Sequence, residues 1–359
     1  MAVSTIDPNG LNIGQIGGTR NLIINGAMQV AQRGTSFTVS STSAFWGVDR
    51  FAFQTNANTN STIAQVVDAP VGLKYSLKLT NGTAYTPATT DFGRIYTRLE
   101  GYSVDHLNLG TANSESLTLS FWVKSSVTGS FGAMIGGNGN GIYVWSYSIS
   151  QANTWEYKSL TVPAGTITTY GGSTTNGQGF QIAWDMGEGP DRSNSAGWHS
   201  DQPESEMGLS GGAKIVSTAG ATWQITGVQL EAGDTATPFE HRSYGQELAL
   251  CERYFVKLGG TSNYAVGAGA VWTTSFMYVP FKLPSQMRAA PTLSASDVSN
   301  TFIYQGGSTF ACTTVGVAGA NNPDVAEIEF QSATSGLSAN GGAWVRLASN
   351  AKILLDAEL

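Results

Sequence analysis

The feature that most restricts how this chain can fold is a period of two. Leu117, Leu119, Phe121 and Val123 alternate with Thr118, Ser120, Trp122 and Lys124, and in an extended chain these two sets face opposite ways. Such a segment is a half-buried strand. Segments of similar character recur at 49–54 (DRFAFQ), 61–70 (STIAQVVDAP), 73–82 (LKYSLKLTNG), 93–101 (GRIYTRLEG), 141–150 (GIYVWSYSIS), 154–163 (TWEYKSLTVP) and 179–187 (GFQIAWDMG). Several end in Asn-Gly or Asp-Ala-Pro punctuation. The segment NLIINGAMQVAQRG (21–34) is read as extended too, and the Gly-rich GAMIGGNGNG (132–141) as a turn linking strands. Short strands at regular spacing predict a sandwich or barrel. Composition agrees, because charged residues make up 12% of the chain and glycine supplies 44 positions, which suits strands joined by tight turns.

One segment changes period: TWQITGVQLEAGDTATPFEHRSYGQELALCERYF, residues 222–255. Trp223, Ile225, Val228 and Leu230 keep a strand's near-alternation, and Glu231-Ala232-Gly233-Asp234 breaks it with turn-forming residues. From Ser243 the spacing becomes helical. Ser243 and Gln246 have the separation of a capping box. Tyr244, Leu248, Cys251 and Phe255 are expected on one apolar face, with Gln246, Glu247, Glu252 and Arg253 directed elsewhere. With 359 residues, enough for about two domains, this helix reads as a strut between two β-domains.

Charge and cysteine usage narrow the partners. The formal net charge is −7, from 18 basic and 25 acidic residues, and no basic stripe is present, so nucleic acid is not an expected partner. The first twenty residues lack a charged leader and an apolar core, and no apolar run reaches membrane-spanning length, so neither a secretory signal nor membrane insertion is expected. Cys251 and Cys312 lack metal-ligand spacing and read as buried thiols of a chain made in a reducing cytoplasm, independent of disulfides.

Candidate chemistry concentrates in WDMGEGPDRSNSAGWHSDQPESEMG, residues 184–208. Asp185, Glu188, Asp191, Asp201, Glu204 and Glu206 surround Trp198 and His199. Two carboxylates at a suitable separation have the chemistry of a glycosidase, whereas a solvated acidic loop needs no such role. No nucleophile elbow and no phosphate-binding loop occurs, and His106 and His241 have only local charged neighbours. Sugar recognition calls for flat aromatic faces flanked by hydrogen-bonding groups. Trp46, Trp155, Trp184 and Trp223 read as core. Tyr143, Trp145 and Tyr147 share one strand face, either core or a stacking platform. Trp198, in a polar run with Asn194, Ser195, His199 and Asp201, is the first choice for an exposed contact, and Trp122, opposite the Phe121 face, is the second.

NLIINGAMQVAQRG, LTLSFWVKSSVTGSFG, NTWEYKSLTVP, the 222–255 segment and the closing DAEL resemble a family of phage tail-fibre and other virion structural proteins. Its jelly-roll domain is similar to carbohydrate-binding modules. The resemblance is concentrated in residues 20–256 and reaches the last hundred residues only through PSQMRAAPT and the final AEL. It implies a virion surface protein, commonly a homotrimer, that displays a sugar-binding type of fold. Jelly-roll carbohydrate modules often hold a structural calcium through acidic residues that here are replaced by Ala27-Met28-Gln29 and Thr226-Gly227. Calcium needs several oxygen ligands, so no metal and no cofactor is expected.

The resulting expectation is an all-β chain: an N-terminal arm (1–20), a jelly-roll β-sandwich (21–242), a helical connector (243–258) and a smaller C-terminal β-domain (259–359). Its expected role is a non-enzymatic fibre or adhesin of the virion. Asn194, Trp198, His199, Asp201 and Trp122 would contact host surface glycan, and the arm would dock other virion proteins. The alternatives are a head fibre or capsid decoration protein, and a polysaccharide depolymerase.

Overall fold

The computed structural model describes residues 20–39, 44–57, 59–137, 139–203, 205–260 and 263–359. The expected N-terminal arm lies outside these apart from Arg20, as does Glu204. The chain divides into two compact units, Met1–Tyr244 with Leu359, and Gly245–Glu358. Among the described residues no helix is long and apolar enough to cross a membrane.

The first unit is a jelly-roll β-sandwich. One sheet runs from edge to edge through Ser36–Val39, Ser61–Val66, Ser76–Thr80, Thr222–Ala232, Leu117–Ser125 and Glu156–Val162. The other runs through Gly197–Pro203, Asn140–Ile149, Gly129–Gly137, Gln178–Asp185, Gly93–Glu100, Phe51–Thr55 and Phe45–Val48. The alternation read from sequence decides which residues lie between the sheets. Leu117, Leu119, Phe121 and Val123 are buried, together with Trp223, Ile225, Val228 and Leu230. Aromatic rings join the two layers: Trp184 lies edge-on to Phe121, with centroids 5.7 Å apart, and 6.2 Å from Trp223, arrangements that favour the ring quadrupoles. Tyr143, Trp145 and Tyr147 also face this core, which removes them as a stacking platform.

Two segments depart from the sequence expectation. Residues 132–137 are not a linking turn; they belong to Gly129–Gly137, an interior strand of the seven-stranded sheet. Its glycines serve close approach, since a Cβ on Gly132 would come 2.7 Å from the Leu209 Cβ and one on Gly136 2.8 Å from Ile142 Cγ2. Residues 21–34 are not a strand, because Asn25 (φ 60°) and Met28 (φ 57°) take left-handed backbone, which coils the segment. The Asn25 side chain fixes the coil by donating to the carbonyls of Val30 and Asp49, both at 2.8 Å, and accepting from Val30 N.

That coil is tied to the long Thr222–Ala232 strand by a buried polar knot. Asn21 donates to Val228 O (3.0 Å) and accepts from Leu230 N (3.1 Å), while Val228 N donates to Gly26 O (3.0 Å). The outward side chains Gln229 and Glu231 are buried by the chain that follows. Glu231 accepts from Thr237 N (2.9 Å), Thr237 Oγ1 (2.6 Å) and Gln229 Nε2 (2.9 Å). Gln229 Oε1 accepts from Glu240 N, and Glu240 accepts from Asn21 N at 2.6 Å. Arg242 closes the circuit on the carbonyls of Ile23 and Asn21.

In the second unit, Phe255–Gly259, Lys352–Asp356 and Thr292–Ser296 form a three-stranded sheet. Tyr264–Val271, Phe276–Lys282, Val325–Ser332, Ser308–Asn321, Thr301–Gln305 and Gly342–Leu347 close into a barrel. The Val325–Ser332 strand alternates strictly, with Ala326, Ile328 and Phe330 buried. Cys251 and Cys312 are buried free thiols. The helix, Tyr244–Glu252, does not present the expected face. Tyr244 is 57% exposed, Leu248 is half-buried, and Glu247 and Cys251 are buried. The chain leaves helical geometry after Glu252, so Phe255 enters a strand and cannot extend the stripe; Cys251 and its neighbour four residues back set the buried face. Leu248→Ala should therefore cost less than the ~2–5 kcal/mol of a fully buried leucine.

The knot gives a sharper expectation. Glu231→Ala strands several buried donors and should destabilise the protein by about 3 kcal/mol, read from chemical denaturation. The exposed Glu115→Ala should stay within about 0.5 kcal/mol. Equal losses for the two would remove the knot from any special role.

Candidate functional site

The two outward faces of the sandwich differ. On the seven-stranded sheet, Met207 and Leu209 pack over Tyr96, Met134, Ile142 and Val144, so the chain's own segment covers part of this face. The acidic run of residues 184–208 is accordingly not a uniformly solvated loop. Asp185 accepts from Lys214 Nζ, from Leu209 N (3.1 Å) and from Glu188 N (2.9 Å). Glu188 lies against Arg94, with Oε1 2.8 Å from Nε and a better-aligned bond from Nη2 to Oε2 at 3.2 Å. The Glu188 side chain has no exposed surface although it lines a cavity of about 340 Å³. Burial raises its carboxyl to about 8 against the pull of Arg94.

The predicted contact residues of this segment do not converge. Gly197–Pro203 is an edge strand, and successive residues of a strand point to opposite faces. Trp198, in register with Tyr143, turns inward and packs half-buried against the core. Its ring is close enough that a Cβ on Gly141 would come 2.9 Å from Cη2. The first choice for an exposed contact is thus mostly a packing residue. His199 shares a 2.8 Å bond with Ser195 O, Asn194 donates to Glu206 O (2.9 Å), and Asp201 is exposed.

The six-stranded sheet leaves an aromatic surface open at the end away from the knot. Trp122 and Tyr157 are direct cross-strand partners, with ring centroids 5.4 Å apart and planes tilted by 57°. Trp122 is half-buried and Tyr157 is 45% exposed. The Trp122 ring lies over Gly227, where a Cβ would come 3.2 Å from Cδ1; Gly227 has φ 62° and sits at a break in strand register, so this bulge makes room for the indole. Beside the rings, Lys124 pairs with Asp68 and stands 5.0 Å over the Trp155 ring, whose Nε1 donates to Asp68 Oδ1 at 3.3 Å. Thr226, next to Trp122 in register, donates to Tyr75 O (2.7 Å). Burial opposes the charge on Asp68, but the bond and charge of Lys124, helped by Trp155, outweigh it and hold the carboxyl below its ordinary value.

Of the predicted contacts, only Trp122 lies on this surface. Tyr157, Lys124 and Asp68 on this surface are not among the expected contacts, and Trp155, expected in the core, is half-buried at the surface. The signal was phase: Tyr157 and Trp155 are out of step with Leu160 and Val162, as Trp122 is with Phe121. At the corner where acidic residues are missing, Gln65 Nε2 donates to the carbonyls of Met28 (2.6 Å) and Gln29 (3.2 Å). Among the described residues no group of three or more His, Cys, Asp or Glu is placed to hold a metal.

No protein-family model and no curated protein matches the sequence. Solved structures similar to the chain are carbohydrate-binding modules. The family 11 module of a cellulosomal cellulase of Clostridium thermocellum has 11% identity and a TM-score of 0.28, over 56% of this chain and 98% of that one. The N-terminal cellulose-binding domain of a Cellulomonas fimi β-1,4-glucanase has 13% identity and a TM-score of 0.26, over 45% and 80%. A xylan-binding domain from Paenibacillus barcinonensis has 10% identity and a TM-score of 0.26, over 60% and 96%. At such scores the chain's own side chains must decide what it binds.

The buried carboxyl makes a pH prediction. Glu188 titrates at about 8 in the folded protein against an ordinary 4.5, so between these values the folded state keeps a proton that the unfolded chain releases. Stability from this group is fully present below 4.5 and is lost as pH rises through about 8. The melting temperature should fall across that interval, and Glu188→Gln, which cannot ionise, should flatten the fall. Superimposable profiles would show that the carboxyl is not held protonated.

Proposed function

We propose that the first unit is a non-catalytic glycan-binding module, and that the chain is a virion fibre or adhesin contacting host surface polysaccharide as a homotrimer. The observation that carries the glycan reading is the Trp122–Tyr157 surface flanked by Lys124 and Asp68. Flat rings stack on the C–H face of a sugar, and the adjacent charged groups match its hydroxyl edge. The virion setting is supported by the quoted motifs, two of which, NLIINGAMQVAQRG and QLEAGDTATPFEHR, are the halves of the buried knot. Residues 1–20 would dock other virion proteins, on a tail fibre or equally on a head fibre or decoration protein. The low charge of 12% leaves uncharged surface for subunit contacts.

A depolymerase would need two carboxyls facing a sugar. Asp185 and Glu188, the most deeply placed of the described acids in residues 184–208, are occupied by Lys214 and Arg94, which supports binding without cleavage.

Trp122→Ala should weaken binding to host polysaccharide about tenfold, the equivalent of ~1.4 kcal/mol, without moving the melting temperature. Trp198→Ala should do the reverse, lowering the melting temperature and sparing affinity. Binding should persist into mild acid, because Asp68 keeps its charge below the usual carboxylate range, and fail only when Asp68 is protonated. Unchanged binding by Trp122→Ala would dismiss the platform, release of reducing ends by the parent would overturn the non-catalytic reading, and a monomer mass by light scattering would overturn the trimer.

A further inference from the structure

A second aromatic surface lies on the outside of the barrel in the second unit. Strands Thr301–Gln305 and Gly342–Leu347 pair Tyr304 with Trp344, and the two rings stack with centroids 4.3 Å apart and planes 15° from parallel. The Arg346 guanidinium sits 4.9 Å over the Tyr304 ring and donates to its hydroxyl. Tyr304 is therefore fixed, and Trp344 rests against it in one orientation while keeping 43% of its surface exposed.

The stack borders a groove of about 560 Å³, within the range of small-ligand sites. Its floor is made of residues with little or no side chain, including Ala268 and Gly342, and a Cβ on Gly342 would meet nothing within 4 Å. Gln305 and Ser308 stand at the rim, on either side of a two-residue Gly306-Gly307 hairpin tip in left-handed backbone (φ 57° and 84°). Gln305 is held rigidly, with Oε1 accepting from Ser338 N (2.6 Å) and Nε2 donating to Ser338 O (3.0 Å). None of the lining residues carries a charge.

We infer that this groove is a second carbohydrate site, which takes a neutral pyranose ring of an oligosaccharide against the exposed face of Trp344. A pyranose offers an apolar C–H face to the indole and hydroxyls to the amide and hydroxyl rim. A nucleotide, sulfated sugar or uronate would bring an anion to a lining without a charged residue, beside which the one nearby cation, Arg346, is engaged by the Tyr304 ring and hydroxyl. The Tyr304 ring covers one face of the indole, so the ring stacks on a single side and is not sandwiched. This site shares no residue with the Trp122 platform and stands or falls separately from it.

The test uses the full chain on immobilised neutral oligosaccharides of hexoses and N-acetylhexosamines, with the parent, Trp344→Ala, Gly342→Leu and Trp122→Ala compared. Gly342→Leu fills the groove from a position where added atoms meet open space, so it blocks without requiring a backbone change. At least one glycan should bind the parent and lose tenfold or more in affinity in both Trp344→Ala and Gly342→Leu, with unaltered melting temperature, and should still bind Trp122→Ala. Loss confined to Trp122→Ala would uphold the platform and refute this site. Absence of any neutral-glycan binding by the parent would also refute it. A change of mass in Gly342→Leu by light scattering would assign the groove to contact between copies of the chain and overturn the proposal.

Discussion

The first unit depends on burying the polar side of its longest strand. Thr222–Ala232 lies inside the six-stranded sheet, and its outward row of Gln224, Thr226, Gln229 and Glu231 is as buried as its inward row of Trp223, Ile225, Val228 and Leu230. An ionised glutamate without partners in that position would cost several kcal/mol. Thr237 and Gln229 satisfy the glutamate, and residues before and after the strand tie down the rest: Asn21 and Gly26 bond its backbone, Glu240 N bonds Gln229, and Arg242 holds Asn21 and Ile23. Sequence neighbours of the strand thus become its lid. Ser76 and Tyr75 complete the set by bonding Gln224 and Thr226.

The position of the candidate platform follows from where that lid ends. The knot covers the sheet around Gln229 and Glu231, and Gly227 marks the break in register. Beyond it the cover passes to the segment of Leu73, Tyr75 and Ser76, and Trp122 lies across the glycine opposite Leu73 with Tyr157 beside it. On the opposite sheet Met207 and Leu209 fill part of the outer face, the Asp185 and Glu188 carboxyls are turned inward to Lys214 and Arg94, and the hollow that remains beside them is lined by Arg94, Arg98, Gln181 and Arg192 with Phe92 as its one aromatic ring. On the proposed reading, the aromatic rings at the surface of the six-stranded sheet hold a ligand, and the acids below the surface of the seven-stranded one are not placed to break it.

Sequence reading succeeded where side chains alone carry the pattern. The Leu117–Val123 alternation gives the strand, its inward face and its place in a sandwich, because burial and period coincide. It failed where backbone proximity decides. Gly132 and Gly136 look like turn residues, yet they are glycine because Leu209 and Ile142 occupy the space a side chain would need. The INGAMQ coil looks like a strand because its apolar content is right; its left-handed Asn25 and Met28 go with the Asn25 bonds to Val30 and Asp49, and Asn21 and Gly26 beside them bond Leu230 and Val228 some two hundred positions away. Trp198 was misjudged by its polar neighbours, which are the outward half of an edge strand whose inward half it supplies. The helix face was misjudged because four apolar residues at helical spacing define a stripe only if the helix reaches the last of them, and this one stops at Glu252.

Both aromatic surfaces are shallow, and that has a consequence for how the chain would act on the proposed reading. A face that stacks one or two rings, with few fixed polar groups around it, gains little beyond the free energy lost on association. Such a site holds a single sugar weakly and releases it quickly. Strength then has to come from number, because a second contact made by an already tethered chain is intramolecular and benefits from a high effective concentration. Two independent surfaces on one chain begin that multiplication and copies of the chain continue it. The structural cost is low, since each surface uses side chains on the outward row of strands whose inward row already builds the core. Weak sites of this kind suit a protein that must sample a polysaccharide and let go, which a single deep pocket would prevent.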